Sequence, residues 1–111
     1  MGDYRLSLTR ETAMTSVLPP VHPGEILNEE YLVPLKMSAG ALAKKLNVPR
    51  TRIERLVAGR TPVTTDTALR LAKFFRTSPE FWMNMQAGYD LKIEAARKKR
   101  ELSRIKALAA A

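Results

Sequence analysis

The 111-residue chain has no cysteine, which excludes both a disulfide framework and a thiolate metal site. It has a single histidine, His22, which removes most histidine-based metal and catalytic sites as well. No apolar run approaches the roughly 20 residues needed to span a bilayer. Residues 1–17 alternate charged and small side chains and lack the apolar centre of a signal peptide, so the expected location is the cytoplasm. Acidic residues are not spaced as a metal cluster: Glu25, Glu29 and Glu30 share one expected helix, with no second ligating segment. No catalytic residue, metal or cofactor is therefore assigned, and no enzyme is expected. The tail lacks an apolar face with aromatic anchors, which argues against a membrane-surface peptide.

What is present is a 45% hydrophobic chain of a length that suits one small all-α domain. Its net charge of +8 favours an anionic partner. That charge is segregated. Residues 1–35 are net acidic, with two basic against five acidic side chains. Residues 36–60 carry seven basic residues against Glu54 alone, and residues 92–111 carry seven against two. Residues 61–91 balance. Positive charge thus collects on one internal stretch and on the C-terminal end.

In chain order, residues 1–17 read as a flexible arm, with an alternating stretch at Tyr4–Leu8 as the one candidate strand. Leu18-Pro19-Pro20 is stiff and extended. Pro23 fits the first position of a helix expected to run to about Leu32, with Ile26, Leu27 and Tyr31 inward and Pro34 as its end. His22 reads as a structural residue at that helix start. Ser38 caps a second helix whose inner face is Ala39, Leu42, Ala43 and Leu46, with Lys44 and Lys45 exposed in the last turn. Asn47 tolerates the left-handed backbone of a tight turn. Pro49 starts a third helix.

In that third helix, Ile53, Leu56 and Val57 share one stripe and bury. At 100° per residue, Thr51, Arg55 and Ala58 then point away from the core. Arg50 lies at the N-terminal end, Arg52 and Glu54 flank, and Gly59 closes the helix with positive φ. Two short helices joined by a tight turn, with small and basic side chains on the outer face of the second, are the layout of a helix-turn-helix DNA reader. Arginine pairs bidentately with guanine, so Arg50 and Arg55 are the base-reading candidates. A fourth helix follows through Arg76, with Thr64, Thr65 and Asp66 offering capping oxygens, Ala68, Leu71, Ala72 and Phe75 inward, and Arg70, Lys73 and Arg76 outward. Ser78-Pro79-Glu80 starts a fifth, with Phe81, Trp82, Met85 and Tyr89 as its apolar set. Residues 93–111 read as a basic helical tail that frays. Its run Arg97 to Arg100 is either a phosphate contact or a solvated end.

The stretch from Pro19 to Lys92, about two-thirds of the chain, resembles the HigA family of addiction-module antitoxins in the lambda-repressor-like (XRE) class. The matching pieces are PPVHPGEIL at 19–27, EEYLVPLKMS at 29–38, LAKKLNVPRTRIERLVAGR at 42–60, TTDTALRLAKFF at 64–75 and TSPEFWMNMQAGYDL at 77–91. The resemblance implies a five-helix domain at 18–92 that forms a homodimer on double-stranded operator DNA. It also implies a RelE-like ribonuclease toxin as partner and repression of the chain's own operon. Carried over by position, Arg50, Thr51 and Arg55 would contact bases. Ser38, Lys44, Lys45, Arg52, Arg60 and Thr61 complete the expected DNA-binding set. Related repressors often place glutamine where this chain has Ala39. Such toxins are usually basic, so attraction would rest on Glu25, Glu29 and Glu30 or on apolar surface. A stand-alone regulator without a toxin is the alternative.

Overall fold

The computed structural model describes residues 19–109. The expected arm at 1–17, including the candidate strand at Tyr4–Leu8, lies outside the described residues. Those described are helical with no strand, as expected for the fold class.

The first helical segment, α1, spans residues 23–35 and is continuous through Pro34. It opens as α-helix at Pro23–Ile26, widens to a π-helical stretch at Leu27–Leu32 and returns to α-helix at Val33–Leu35. Pro34 was expected to end it. A proline inside an α-helix meets the carbonyl four residues back and supplies no N–H. The wide turns just before it relocate those carbonyls: the Val33 N–H bonds five residues back, to Asn28. The helix instead ends at Lys36, in the left-handed conformation (φ 54). The Lys36 and Met37 amides close onto the Val33 and Leu32 carbonyls at 3.1 and 2.9 Å.

Four further helices follow: α2 (Ala39–Leu46), α3 (Arg50–Val57), α4 (Thr65–Phe75) and α5 (Pro79–Arg97). The starts of α2, α4 and α5 are set by hydroxyl caps, while α3 follows Pro49 with no side-chain cap. Ser38 accepts from the Ala41 N–H, Thr64 from Thr67 and Ser78 from Phe81. Asp66, a capping candidate in the sequence, is not the cap; it lies in the first turn and binds two arginines. Asn47 takes the left-handed turn conformation (φ 58), as does Gly59 (φ 73) after α3. A short α6 (Lys99–Ser103) follows α5 after a break at Lys98, and the described residues beyond Glu94 are all exposed to solvent. Residue 93 falls inside α5, whose helix crosses it without a break.

The core gathers Leu27, Leu42, Ile53, Leu56, Leu71 and Trp82, all essentially inaccessible. Full burial of each aliphatic side chain is worth about 1.5–3 kcal/mol. Helix α2 packs chiefly on α3, α4 on α5, and α1 bridges α3 and α5. Gly24 permits that bridge: a Cβ there would stand 1.7 Å from the Leu56 carbonyl oxygen. Phe81, expected inward, lies half on the surface with its edge against the Trp82 ring. On the same helix Gln86, a polar residue, is buried.

Candidate nucleic-acid interface

The outer face of α3 is built by the inner one. Burying Ile53 and Leu56 fixes the rotation of the helix, so Thr51, Arg55 and Ala58 are exposed. Two shallow clefts flank this face. One, of about 190 Å³, is lined by Thr51, Glu54, Arg55, Ala58 and Arg60. The other, of about 530 Å³, runs between α3 and the 61–64 loop and includes Arg52, Thr61 and Asp66. Thr51 and Arg55 line both, so they form the ridge between them.

Arg50 sits at the first position of α3, its side chain exposed and 3.4 Å from the Glu54 carboxylate. Its stem lies over Gly40 of α2, where a Cβ would approach the Arg50 Cδ to 2.8 Å. Glu54 therefore belongs to this face rather than flanking it, and the i, i+4 spacing of Arg50 and Glu54 is the signal for it in the sequence. Beside Arg50 is the N-terminus of α2. Ser38 satisfies the Ala41 amide there at 3.0 Å, and the first amides of a helix have no intrahelical acceptor, which suits a phosphate.

Arg52 is held within the protein. Its guanidinium donates to Asp66 at 2.5 Å, and Arg70 donates to the same carboxylate oxygen at 3.0 Å. The two arginines, Arg52 first, hold the Asp66 carboxyl below its ordinary pKa. Arg70, expected to point outward, also donates to the Leu46 carbonyl at the end of α2, at 2.9 Å. It thus satisfies a helix C-terminus and ties α2, α3 and α4 together.

The loop after α3 carries Arg60 and Thr61 and is pinned from behind. The Val63 amide donates to Gln86 Oε1 at 2.7 Å, and Gln86 Nε2 donates to Asp90 at 2.9 Å. His22 holds the other end. Its Nδ1 accepts the Gly24 N–H at 2.9 Å, its ring meets Tyr89 edge-on at 4.9 Å, and the Thr61 backbone is a further hydrogen-bond partner. Burial pushes the His22 pKa below its ordinary value, against weaker pulls from Thr61, Asp90 and Glu25. No local pattern announces Gln86; only its place on the inner face of α5 could have marked it.

The structure thus brings Ser38, Arg50, Thr51, Arg55, Arg60 and Thr61 onto or beside one surface. Lys44 and Lys45 lie at the other end of α2 from Ser38. Lys45 lines another groove toward α4, which shares only Asp66 with the cleft beside α3.

Comparison with known proteins identifies this arrangement. A helix-turn-helix family model matches residues 29–82. Virulence-associated protein I of Dichelobacter nodosus is 51% identical over 76 residues, covering 68% of this chain and 70% of that protein. The solved structure of Pseudomonas aeruginosa antitoxin HigA with the higBA promoter matches with a TM-score of 0.80 and 36% identity, over 82% of this chain and all of that one. A HigA-family addiction module antidote protein from Coxiella burnetii matches with a TM-score of 0.78 and 44% identity, over 83% of this chain and all of that one. The relatives are helix-turn-helix antitoxins and regulators rather than enzymes. On this identity and coverage, the chain belongs to the HigA family of helix-turn-helix antitoxins, within the XRE class.

Proposed function

We propose that this protein is a dimeric operator-binding antitoxin that represses its own operon and neutralises a RelE-like ribonuclease toxin in the cytoplasm. The observation that carries the DNA half is the Thr51–Arg55 ridge between two clefts, with Arg55 exposed and unpaired among the described residues. Arg50, Thr51 and Arg55 read base edges. Ser38 with the α2 amides, Arg60 and Thr61 hold phosphates, and Lys44 adds long-range attraction. Arg52, neutralised by Asp66, acts mainly by positioning α3. The P. aeruginosa relative was solved with promoter DNA, which supports the same use here.

A twofold dimer would set two α3 helices in successive major grooves, about 34 Å apart. The exposed apolar side chains Leu91, Leu102 and Ile105 offer surface for the twofold contact. The acidic outer face of α1, with Glu25, Glu29 and Glu30 exposed, is where a basic toxin would meet attraction rather than repulsion.

The test is co-expression with the adjacent reading frame, followed by footprinting of the free protein and of any complex on the upstream DNA. A stable complex and a protected palindrome are expected. Protection without a co-purifying partner would leave a stand-alone regulator, a reading favoured by the net charge of +8 that a basic toxin would have to approach. Loss of protection would refute the operator role.

A further inference from the structure

Between the end of α2 and the outer side of α4 lies an open groove of about 650 Å³ that the reader face does not use. Its rim carries Lys45, Lys73 and Arg76, all exposed and none paired with a carboxylate among the described residues. Its apolar lining is Leu69, 58% exposed, and Phe74, half-buried against Phe75. The Arg52–Asp66–Arg70 cluster separates it from the cleft beside α3. Phosphate backbone would use the cations but not the leucine and phenylalanine. An occupant that uses both carries carboxylates beside aliphatic side chains.

The same chain displays such a surface. On α1, Glu29 and Glu30 are exposed, and Val33, about one turn on and on the same side of the helix, is 58% exposed. Two carboxylates and an aliphatic group on α1 match three unpaired cations and two apolar side chains in the groove, whose remaining charges, Asp66 and Arg70, pair with each other. The two surfaces differ, so pairing them between copies is a heterologous contact, which repeats rather than closing on itself. We infer that the groove receives the acidic face of α1 from a neighbouring copy, so that dimers on adjacent operators touch and fill them cooperatively. The contact is small, and binding to one DNA molecule supplies the local concentration that lets a weak contact count. A toxin seated on α1 would occupy the same face and cancel the cooperativity.

This inference rests on the operator-binding half of the proposed function, and the experiment separates the two. The footprinted site is placed on DNA once, and then twice in tandem, with the spacing stepped through one helical turn of about 10.5 base pairs. The readout is the ratio of second-site to first-site affinity within each protein, so a general loss of DNA affinity cancels. Failure on the single site would count against operator binding itself. With single-site binding intact, the wild-type ratio is expected to reach about tenfold at a favoured spacing. Lys73→Glu with Arg76→Glu should bring it to about one, and so should Leu69→Ser, which leaves the charge unchanged. Adding Glu29→Lys and Glu30→Lys to the groove double variant should restore it. A wild-type ratio of one at every spacing overturns the inference, as does a ratio that survives both groove variants. Loss in the charge variant alone, without rescue by the swap, also overturns it and makes the groove a phosphate contact.

Discussion

At the scale of single residues, Arg55 is the side chain on which base reading turns. It is exposed, unpaired among the described residues, and borders both clefts. Arg55→Ala is expected to weaken operator binding by about 1–3 kcal/mol and to relax discrimination at one base position. Fluorescence anisotropy on a panel of single-base operator variants measures this; an equal loss on scrambled DNA would reduce Arg55 to a phosphate contact. Gly24 matters to packing instead. A methyl group cannot share space with the Leu56 carbonyl, so Gly24→Ala must push α1 off the end of α3. Such overpacking costs about 1–3 kcal/mol or more, seen as a lower melting temperature. His22 supplies a pH dependence. The fold favours its neutral ring, whose Nδ1 accepts from Gly24, and burial lowers its pKa. Its contribution is therefore complete above the ordinary histidine pKa of about 6.5 and is lost as pH falls below that through the folded value. Wild-type melting temperature should drop over that window, and His22→Asn, which keeps a capping acceptor but cannot titrate, should show a flatter profile.

At the scale of elements, what could be read from the sequence was whatever is decided within four or five residues. Ser38, Thr64 and Ser78 announce helix starts because a hydroxyl reaches an amide three positions on. Asn47 and Gly59 announce ends because they tolerate the left-handed region. The outer face of α3 was legible because its buried stripe sets the helical phase. What was not legible joins distant parts of the chain. Arg70 reaches the Leu46 carbonyl 24 residues away, Arg52 reaches Asp66 across 14, and Gln86 reaches Val63 across 23. Propensity says nothing about such pairs, and it placed Arg70 in solvent and Phe81 in the core. The π-helical stretch escaped for a related reason, since Pro34 looks like a stop unless the preceding turns widen to receive it. The Gln86 contact yields a prediction about the loop. Gln86→Leu leaves the buried Val63 amide without its acceptor, a cost of about 1–3 kcal/mol. Hydrogen exchange at Val63 should accelerate, and operator affinity should fall because Arg60 and Thr61 ride on the loosened loop. Unchanged exchange at Val63 would mean that the loop holds itself.

At the scale of the whole molecule, the question is how a small basic domain becomes a specific reader. One α3 helix contacts a few base pairs, and charge alone binds any duplex, so two readers at a fixed separation are needed. The domain buries its own core fully, yet Leu91, Leu102 and Ile105 stay exposed on α5 and beyond it. Scattered surface leucines are ordinary, but three on one projecting basic segment are better explained as a contact between copies. Leu102→Ser combined with Ile105→Ser should leave the core untouched, because neither residue is part of it. The double variant is expected to run as a monomer in light scattering where the wild type runs as a dimer. The salt dependence gives a second, independent reading. Affinity falls with salt at a slope near 0.9 per neutralised phosphate, so a monomer holding half the phosphates should show about half the wild-type slope. A variant that remains dimeric at wild-type slope would place the twofold contact elsewhere, with the apolar cleft of Val21, Ile26, Met85 and Tyr89 beside the start of α1 as the next surface to mutate.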